Sequence, residues 1–376
     1  MCEACNNNDI EAFAKASAQA DSPGVDRQRR SVLAAAAAGL VAALTPAVFR
    51  RQAHAAESGK FRVGYIAEPA HGLHFIAKEK GYFKDEGLDV ELLQFKSAGE
   101  GLTALKSGQL DIGTFGSAAP LLFISQGTPF TIFGGMMIGG QALIARPETA
   151  AGLKDIASYR GKKLGLVRLS TGDVVFSGAL KKAGIDPKKD IVRIELPSPG
   201  VVVEAVKKGE VDVGLVFSPH FTLAEKQGLV VSNLIEDFYA NYTCCRLTAN
   251  TADFESRKGE YQAYLKGLIR AYKVYSTDPE ETVRIFTTSL KLDEAIIRRD
   301  TYTRKAFASH PDPLRKGTLD FWQAMVDADY VAAKDYPVAK HIDVDVYKAA
   351  LNSVIAREPN DKVFAELATF YAANNA

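Results

Sequence analysis

The sequence predicts a two-lobed α/β protein in which each lobe is a mostly parallel sheet flanked by helices, with a helical C-terminal extension. Two observations carry this prediction. The chain contains an internal repeat whose copies alternate strand-like and helix-like patterns, and from about Asp253 onward the pattern becomes helical. Strands that alternate with helices are typical of parallel sheets, and a long repeat indicates duplicated domains rather than a solenoid.

The two copies of the repeat align without a gap. Residues 97–113 (SAGEGLTALKSGQLDIG) align with residues 198–214 (SPGVVVEAVKKGEVDVG), so that Gly108 meets Gly209 and Asp111 meets Asp212. Each copy has the pattern strand, helix, strand, helix, strand. The predicted strands are 61–66, 88–95 and 109–115 in the first copy and 163–167, 191–196 and 210–217 in the second; the predicted helices are 73–82, 99–107, 174–183 and 200–208.

Two further strand-like segments, 140–145 and 242–247, lie on either side of the second copy. We therefore predict that the second copy is inserted into the first lobe, and that these segments form a hinge. The predicted boundaries are 57–142 with 246–376 for lobe I, which includes the C-terminal helices, and 143–245 for lobe II.

The first 56 residues have the pattern of a cleaved export signal. Arg29-Arg30 precedes an apolar run over residues 34–48, and the A-x-A pattern at residues 53–56 is typical of a cleavage site. The paired arginines predict the twin-arginine pathway. The alternative, a membrane anchor, is disfavoured because the run is shorter than the about 20 residues that a span needs. Cys2 and Cys5, a possible zinc half-site or redox pair, would be removed with this segment.

The composition points to a small-molecule partner. The chain has 46 basic and 45 acidic residues, so it lacks the charge excess of a nucleic-acid-binding protein, and we predict no nucleic-acid partner. The predicted mature chain keeps only Cys244 and Cys245, which we expect to be buried small residues, because a disulfide between adjacent cysteines is strained.

Ligands of open parallel sheets bind outside the carboxyl ends of the strands, so the loops at those ends should face one cleft. The candidate ligand-binding residues are His71, Phe75, Ser97, Gly116, Ser117, Ser170, Thr171, Gly172, Ser218 and His220. Free N–H groups at helix N-termini, assisted by hydroxyls, bind anions; the alternative is that each serine only caps its own helix. Because Arg168 is the only arginine in these loops, a monoanion or a polar heterocycle is favoured over a phosphate.

His71 and His74 are three residues apart, a spacing that could hold zinc if further ligands were present. The repeat separates their roles, because His74 aligns with Val175 and is expected to pack, whereas His71 aligns with Gly172 in the loop and is the better binding candidate. We predict no metal, no cofactor and no catalytic residue.

The segment FIAKEKGYFKDEGLDV (residues 75–90), followed by SAGEG, QLDIG and GSAAP, resembles the periplasmic solute-binding proteins of the nitrate/sulfonate/taurine class, also called NMT1/THI5-like or SsuA-like. The resemblance implies a periplasmic clamshell protein, monomeric and not an enzyme. It would capture a small organic anion, a sulfonate or a carboxylate, and deliver it to an ABC permease in the inner membrane. Residues 217–221 (FSPHF) depart from the Trp-x-Pro or Glu-Pro-Tyr of many relatives, which puts the substrate in doubt.

The resemblance leaves an alternative, a THI5-like synthase of a pyrimidine precursor or a protein that binds a pyrimidine or related heterocycle. Those synthases use a histidine and a cysteine-rich segment, which Cys244-Cys245 matches only in part. A periplasmic sensor subunit is a third possibility, which the sequence does not separate from a transport protein.

Overall fold

The computed structural model describes residues 59–240 and 242–375; the predicted export signal, with Cys2 and Cys5, lies outside them. The strands are β1 (Lys60–Tyr65), β2 (Asp89–Gln94), β3 (Ile112–Gly116), β4 (Phe130–Gly135), β5 (Met137–Gly139), β6 (Gln141–Ala145), β7 (Lys163–Leu166), β8 (Val192–Glu195), β9 (Val213–Phe217), β10 (Val230–Leu234), β11 (Cys245–Asn250) and β12 (Phe307–Ser309). The helices are α1 (Leu73–Glu79), α2 (Tyr82–Asp85), α3 (Ala98–Lys106), α4 (Ala118–Ser125), α5 (Pro147–Ala150), α6 (Thr171–Lys182), α7 (Pro199–Lys208), α8 (His220–Glu225), α9 (Thr251–Ser256), α10 (Lys258–Thr277), α11 (Pro279–Leu290), α12 (Glu294–Arg298), α13 (Arg315–Asp327), α14 (Asp345–Arg357) and α15 (Lys362–Asn374).

The strands form two five-stranded sheets, with the orders β2-β1-β3-β11-β4 and β10-β6-β9-β7-β8, and β12 pairs with β5. Within each copy of the repeat the central strand is parallel to both neighbours: β1 to β2 and β3, and β7 to β8 and β9. The predicted two-lobed α/β fold is therefore confirmed. Both sheets are mixed, because β11 runs antiparallel to β3 and β6 runs antiparallel to β9.

The two copies of the repeat make the same local contacts. Asp111 Oδ2 accepts a hydrogen bond from the Arg62 backbone N–H (2.6 Å), and Asp212 Oδ2 accepts one from the Lys163 backbone N–H (2.8 Å). Each carboxylate thus joins the start of the third strand to the start of the first. The aspartate is thus identical in the two copies at a position where its side chain accepts a hydrogen bond from a backbone N–H group.

Helix α10 covers one face of the first sheet. Its buried residues Tyr261, Tyr264, Leu265 and Leu268 recur at intervals of three and four, the spacing of an apolar helix face. The Tyr264 ring stacks on Phe83 with ring centroids 4.7 Å apart, which fixes α10 against the first copy of the repeat.

The C-terminal helices contact both sheets, whereas the sequence predicted contact with the first lobe. Trp322 of α13 belongs to the same buried apolar cluster as Phe176 of α6, and the Tyr330 hydroxyl donates to Asp173 Oδ1 (2.8 Å). Asp300 accepts a hydrogen bond from the Ser218 hydroxyl (2.6 Å). These contacts arise because the apolar face of α13 is complementary to α6, a match that spacing along the chain does not reveal. The lobe boundaries and the hinge stay predictions.

Among the helices of residues 59–240 and 242–375, none combines the length and apolar character that a membrane span requires.

Candidate ligand site between the two sheets

The ends of strands from both sheets meet in one cleft. From the first sheet, the loop after β1 brings Glu68 and His71, and the end of β3 brings Gly116; from the second sheet, the start of α6 brings Thr171. A Cβ atom added to Gly116 would lie 2.8 Å from Thr171 Oγ1, so the two sides of the cleft are in contact. The structure is therefore that of a closed cleft.

Gln141, at the start of β6, and Cys244, just before β11, connect the two sheets at the floor of this cleft. The Gln141 side-chain amide donates to Cys244 Sγ (3.6 Å), and the Ser117 backbone N–H donates to the Cys244 carbonyl (2.7 Å). Cys244 and Cys245 are buried free thiols with their sulfur atoms 3.6 Å apart. The floor thus holds polar groups from both segments that connect the two sheets, the one at Gln141 and the one at Cys244.

Glu68 is the functional candidate that the sequence prediction missed. Its side chain is only 6% exposed, yet it forms no hydrogen bond with another residue of the described ranges. Burial raises the pKa of the Glu68 carboxyl well above its usual value, and the neighbouring Cys244 raises it further. The signal in the sequence was an acidic residue in the loop that follows β1, where a ligand-facing side chain is expected.

His71 is completely buried beside Glu68. Its Nδ1 accepts a hydrogen bond from the Ile66 backbone N–H (3.3 Å), while Nε2 has no partner among the described residues. Burial lowers the pKa of His71 to about 4, so the ring is neutral near pH 7. Because Nδ1 accepts, the proton of the neutral ring is on Nε2, which makes this atom a buried donor without an acceptor.

Glu68, His71 and Cys245 are the described residues whose arrangement could hold a metal ion, since one donor atom from each lies within 4.8 Å of the others. A metal-bound histidine usually donates a hydrogen bond through its second ring nitrogen. In His71 the second nitrogen, Nδ1, accepts a hydrogen bond from Ile66 instead of donating one. Nε2 therefore carries the proton and has no free lone pair for a metal ion. The tautomer favours a hydrogen-bonding role for His71.

The predicted serines have partners of their own. Ser97 Oγ accepts from the Glu100 backbone N–H (3.2 Å), and Ser170 Oγ accepts from the Asp173 backbone N–H (3.2 Å), so each caps its own helix. The Ser117 hydroxyl donates to the Cys244 carbonyl, and the Ser218 hydroxyl donates to Asp300. The structure therefore does not assemble these hydroxyls into a cradle for an anion.

The Thr171 hydroxyl is different, because it is buried and has no well-formed hydrogen bond among the described residues. The adjacent Gly172 lies on the cleft floor, where an added Cβ would be 2.8 Å from Gln141 Oε1.

The two aromatic candidates pack against other rings. Phe75 is buried and meets Tyr65 edge-on, with ring centroids 5.2 Å apart. His220 meets Phe217 edge-on (5.3 Å), and burial lowers the pKa of its ring.

His74 packs inside the first lobe. Its ring nitrogens lie 3.0 Å from Thr114 Oγ1 and 2.5 Å from the Tyr264 hydroxyl. The two histidines of the loop therefore have separate environments, one at the cleft and one under the sheet.

Three arginines on elements that border the cleft all have partners. The Arg168 side chain is 60% exposed and lies 3.9 Å from Glu195, and Arg193 pairs with Asp173. Arg246 is fully buried and donates to the carbonyls of Met137 (2.5 Å), Asp312 (2.9 Å) and Pro313 (3.2 Å).

A second acidic residue, Glu236, lies beside Gly140, just before β6. It accepts a hydrogen bond from the Gly140 backbone N–H (2.8 Å), and burial raises its pKa to about 7. A hydrogen bond with Cys245 lowers the pKa of Cys244, and the charge of Glu236 opposes that shift. The Glu236 carboxyl thus has a hydrogen-bond partner in the protein.

Comparison with protein families gives one decisive match, in which the sequence model of the NMT1-like family covers residues 54–288. The chain belongs to the NMT1-like family. This confirms the resemblance seen in the sequence.

Relatives of this NMT1-like chain include a candidate binding protein of Brucella abortus (strain 2308), 27% identical over 267 residues, which are 69% of this chain and 82% of the relative. The taurine-binding periplasmic protein of Escherichia coli (strain K12) is 27% identical over 219 residues, 57% of this chain and 65% of the relative. The 4-amino-5-hydroxymethyl-2-methylpyrimidine phosphate synthase of Candida albicans (strain WO-1) is 27% identical over 155 residues, 41% of this chain and 44% of the relative.

Solved structures share the fold of this NMT1-like chain. The periplasmic nitrate-binding protein NrtA from Synechocystis PCC 6803 has a TM-score of 0.68 at 17% identity, covering 81% of this chain and 92% of that one. The periplasmic aliphatic sulphonate binding protein SsuA from Escherichia coli has a TM-score of 0.65 at 18% identity, covering 77% and 99%. The fold is that of periplasmic binding proteins.

Proposed function

We propose that the protein is the solute-binding component of an ABC importer, which captures a small organic solute between its two sheets and delivers it to a permease in the inner membrane. The observation that carries this proposal is the closed cleft, in which Gly116 of one sheet meets Thr171 of the other around buried polar groups. Among the described residues, His71 Nε2 has no partner and the Thr171 hydroxyl has no well-formed hydrogen bond. Buried polar groups without partners are costly, so a bound solute that pairs with them is favoured.

The family and the relatives support a transport role. The taurine-binding relative is named as periplasmic, and the twin-arginine pattern at Arg29-Arg30 supports export of this chain to the same compartment. We propose a monomer, as expected for a receptor that presents its closed form to a permease.

The sequence favoured an organic anion, a sulfonate or a carboxylate, held by serine hydroxyls at helix N-termini. Ser97 and Ser170 instead cap their own helices, and Ser218 is paired with Asp300. The geometry supports the cleft as the binding site more strongly than it supports this ligand class.

A solute screen tests the proposal. Purified protein is heated with a panel of small organic solutes of both charges and with nitrate; a solute at 100 times its dissociation constant adds about 2.7 kcal/mol of stability. A solute that stabilises the protein should also reduce its radius of gyration in X-ray scattering. Failure of every solute to bind, or binding without closure, contradicts the proposal.

Substitution of Gly116 tests the closed cleft directly. In Gly116→Ala the new methyl group would lie 2.8 Å from Thr171 Oγ1, so closure is hindered and affinity for any binding solute should fall at least about tenfold. The matched control is Gly200→Ala, because a Cβ at Gly200 has no neighbour within 4 Å among the described residues. Equal affinities of the two variants would show that these loops do not close on the solute.

A second candidate function is synthesis of a pyrimidine precursor, favoured by the position of His71 beside Cys245 and by the synthase relative. The two candidates differ in what happens to the bound compound. Recovery of the solute unchanged after prolonged incubation supports transport, whereas its conversion, with loss of conversion in Cys245→Ser, supports the enzyme.

A further inference from the structure

We propose that the solute of this cleft is an organic cation, a small compound that places a protonated amine or amidine against the Glu68 carboxylate. The inference rests on the proposed function and names the chemical class of its solute. It starts from Glu68, which is 6% exposed and lies within 4.8 Å of donor atoms of His71 and Cys245. Its backbone bonds to Ile66 and His71, but its carboxyl forms no hydrogen bond with another described residue.

Burial favours the neutral form of the Glu68 carboxyl, so its ionised form needs a compensating charge. Ionised groups are stable in protein interiors when they are paired and hydrogen-bonded, and the unpaired state is costly. Arg246 is buried too, but its guanidinium donates to the carbonyls of Met137, Asp312 and Pro313. Arg168 faces the solvent near Glu195. A cationic solute would supply the missing partner of Glu68.

The polar groups near Glu68 indicate which solute atoms would lie next to the protonated nitrogen. The neutral His71 ring offers a hydrogen-bond donor at Nε2, because its Nδ1 already accepts from Ile66. The Thr171 hydroxyl can donate or accept from the opposite side of the cleft. The solute therefore carries an acceptor for His71 close to its protonated nitrogen.

An anion is disfavoured by the same arrangement. Glu68 brings an acidic side chain to this region, and Lys96, the lysine of the loops at the strand ends, is exposed. A sulfonate or carboxylate next to Glu68 would place like charges together in a buried site, or would require Glu68 to stay protonated. A cation thus gains an ion pair by ionising Glu68, and an anion of the same shape does not.

Matched ligands test this inference. Benzamidine, benzamide and benzoate have nearly the same shape and differ in charge, and butylamine and butanesulfonate form a second set. Each compound, together with a wider panel of biological amines and acids, is titrated into the purified full chain by calorimetry and thermal shift. We expect solutes with a protonated nitrogen to bind and the anions of the same skeleton to fail.

Variants connect the charge to one residue. Glu68→Gln keeps the shape of the side chain and should lower the affinity for the cationic solute at least about tenfold, while raising the melting temperature of the free protein, because it removes a buried acid. The second effect shows that lost affinity is not lost folding. Glu195→Gln is the control, since it removes the same charge from an exposed position at the rim and should leave the affinity unchanged.

The outcomes separate the two proposals. Binding of only neutral or anionic solutes, or a cation whose affinity is unchanged or increased in Glu68→Gln, overturns the inference and leaves the proposed function standing. If no solute of any charge binds, the proposed function fails as well.

Discussion

The two copies of the repeat are alike where strands and helices begin and differ where strands end. Asp111 and Asp212 accept equivalent backbone hydrogen bonds, and Ser97 and Ser198 cap equivalent helices. At the strand ends the copies diverge, since His71 of the first corresponds to the glycine at position 172 of the second. The residues shared by the two copies stabilise the strands and helices of each sheet. The loops at the strand ends differ between the copies, so the cleft that they line is asymmetric.

The strongest test of this comparison uses the paired aspartates. Asp111 is buried and also accepts from Arg257 Nη1 (2.6 Å), whereas Asp212 is partly exposed and bonds only to the Lys163 backbone among the described residues. We expect Asp111→Ala to lower the free energy of unfolding by about 3 kcal/mol and Asp212→Ala by about 1 kcal/mol. Urea denaturation of both variants measures this, and equal losses would show that Arg257 adds nothing to the first copy.

His74 tests a position where the copies differ in packing. His74→Val introduces the residue type found at the equivalent position 175 and leaves the Thr114 and Tyr264 hydroxyls without their partner, so the free energy of unfolding should fall by about 2 kcal/mol. The triple variant with Thr114→Val and Tyr264→Phe should recover part of that loss. Denaturant unfolding provides the measurement, and no recovery in the triple variant would contradict the assigned hydrogen bonds.

His71 also predicts a pH dependence that the second copy lacks at Gly172. Its folded pKa of about 4 lies below the usual 6.5, so the unfolded chain binds the proton more readily. The stability from the neutral ring is complete above pH 6.5 and is lost as pH falls toward 4, by about 3 kcal/mol, while the raised pKa of Glu68 acts in the opposite sense.

His71→Gln isolates the contribution of the ring. Its unfolding free energy should decrease less between pH 6.5 and pH 4 than that of the parent protein, as measured by denaturant titration at each pH. Parallel pH profiles for the two proteins would exclude a buried neutral imidazole at this position.

The smallest effect is expected at the paired glycines that end helices α3 and α7. Gly108 and Gly209 have φ angles of 77° and 76°, a left-handed conformation that costs alanine about 1 kcal/mol. Gly108→Ala and Gly209→Ala should therefore lower the melting temperature by similar amounts. A difference above about 0.5 kcal/mol between them would show that the equivalence of the copies does not extend to helix termination.

Local patterns predicted much of the fold. The repeat and its periodicity predicted β1 at 61–66, where the strand is Lys60–Tyr65, and α7 at 200–208, where the helix is Pro199–Lys208. Helix α6 begins at Thr171 rather than at 174, because Ser170 caps it. These features depend on residues that are neighbours in the chain.

The candidate site was predicted less completely, because burial and pairing depend on distant residues. The sequence named Thr171 as a candidate, and the structure places it opposite Gly116; its role in binding stays a prediction. The burial of Glu68 depends on how His71 and Cys245 approach it, and the partner of Ser218 is Asp300, from the C-terminal region. No local pattern distinguishes a serine that faces a ligand from one that binds an aspartate brought from elsewhere.

The packing of α13 against α6 gives the protein an optical reporter of its own. The chain has one tryptophan, Trp322, and it lies on α13 in the apolar cluster shared with Phe176 of the second sheet. Indole emission therefore comes from a single place, at the contact between the C-terminal helices and the inserted copy. A change in its wavelength or in quenching by acrylamide during titration would follow that contact in unlabelled protein, in real time and at nanomolar to micromolar concentration.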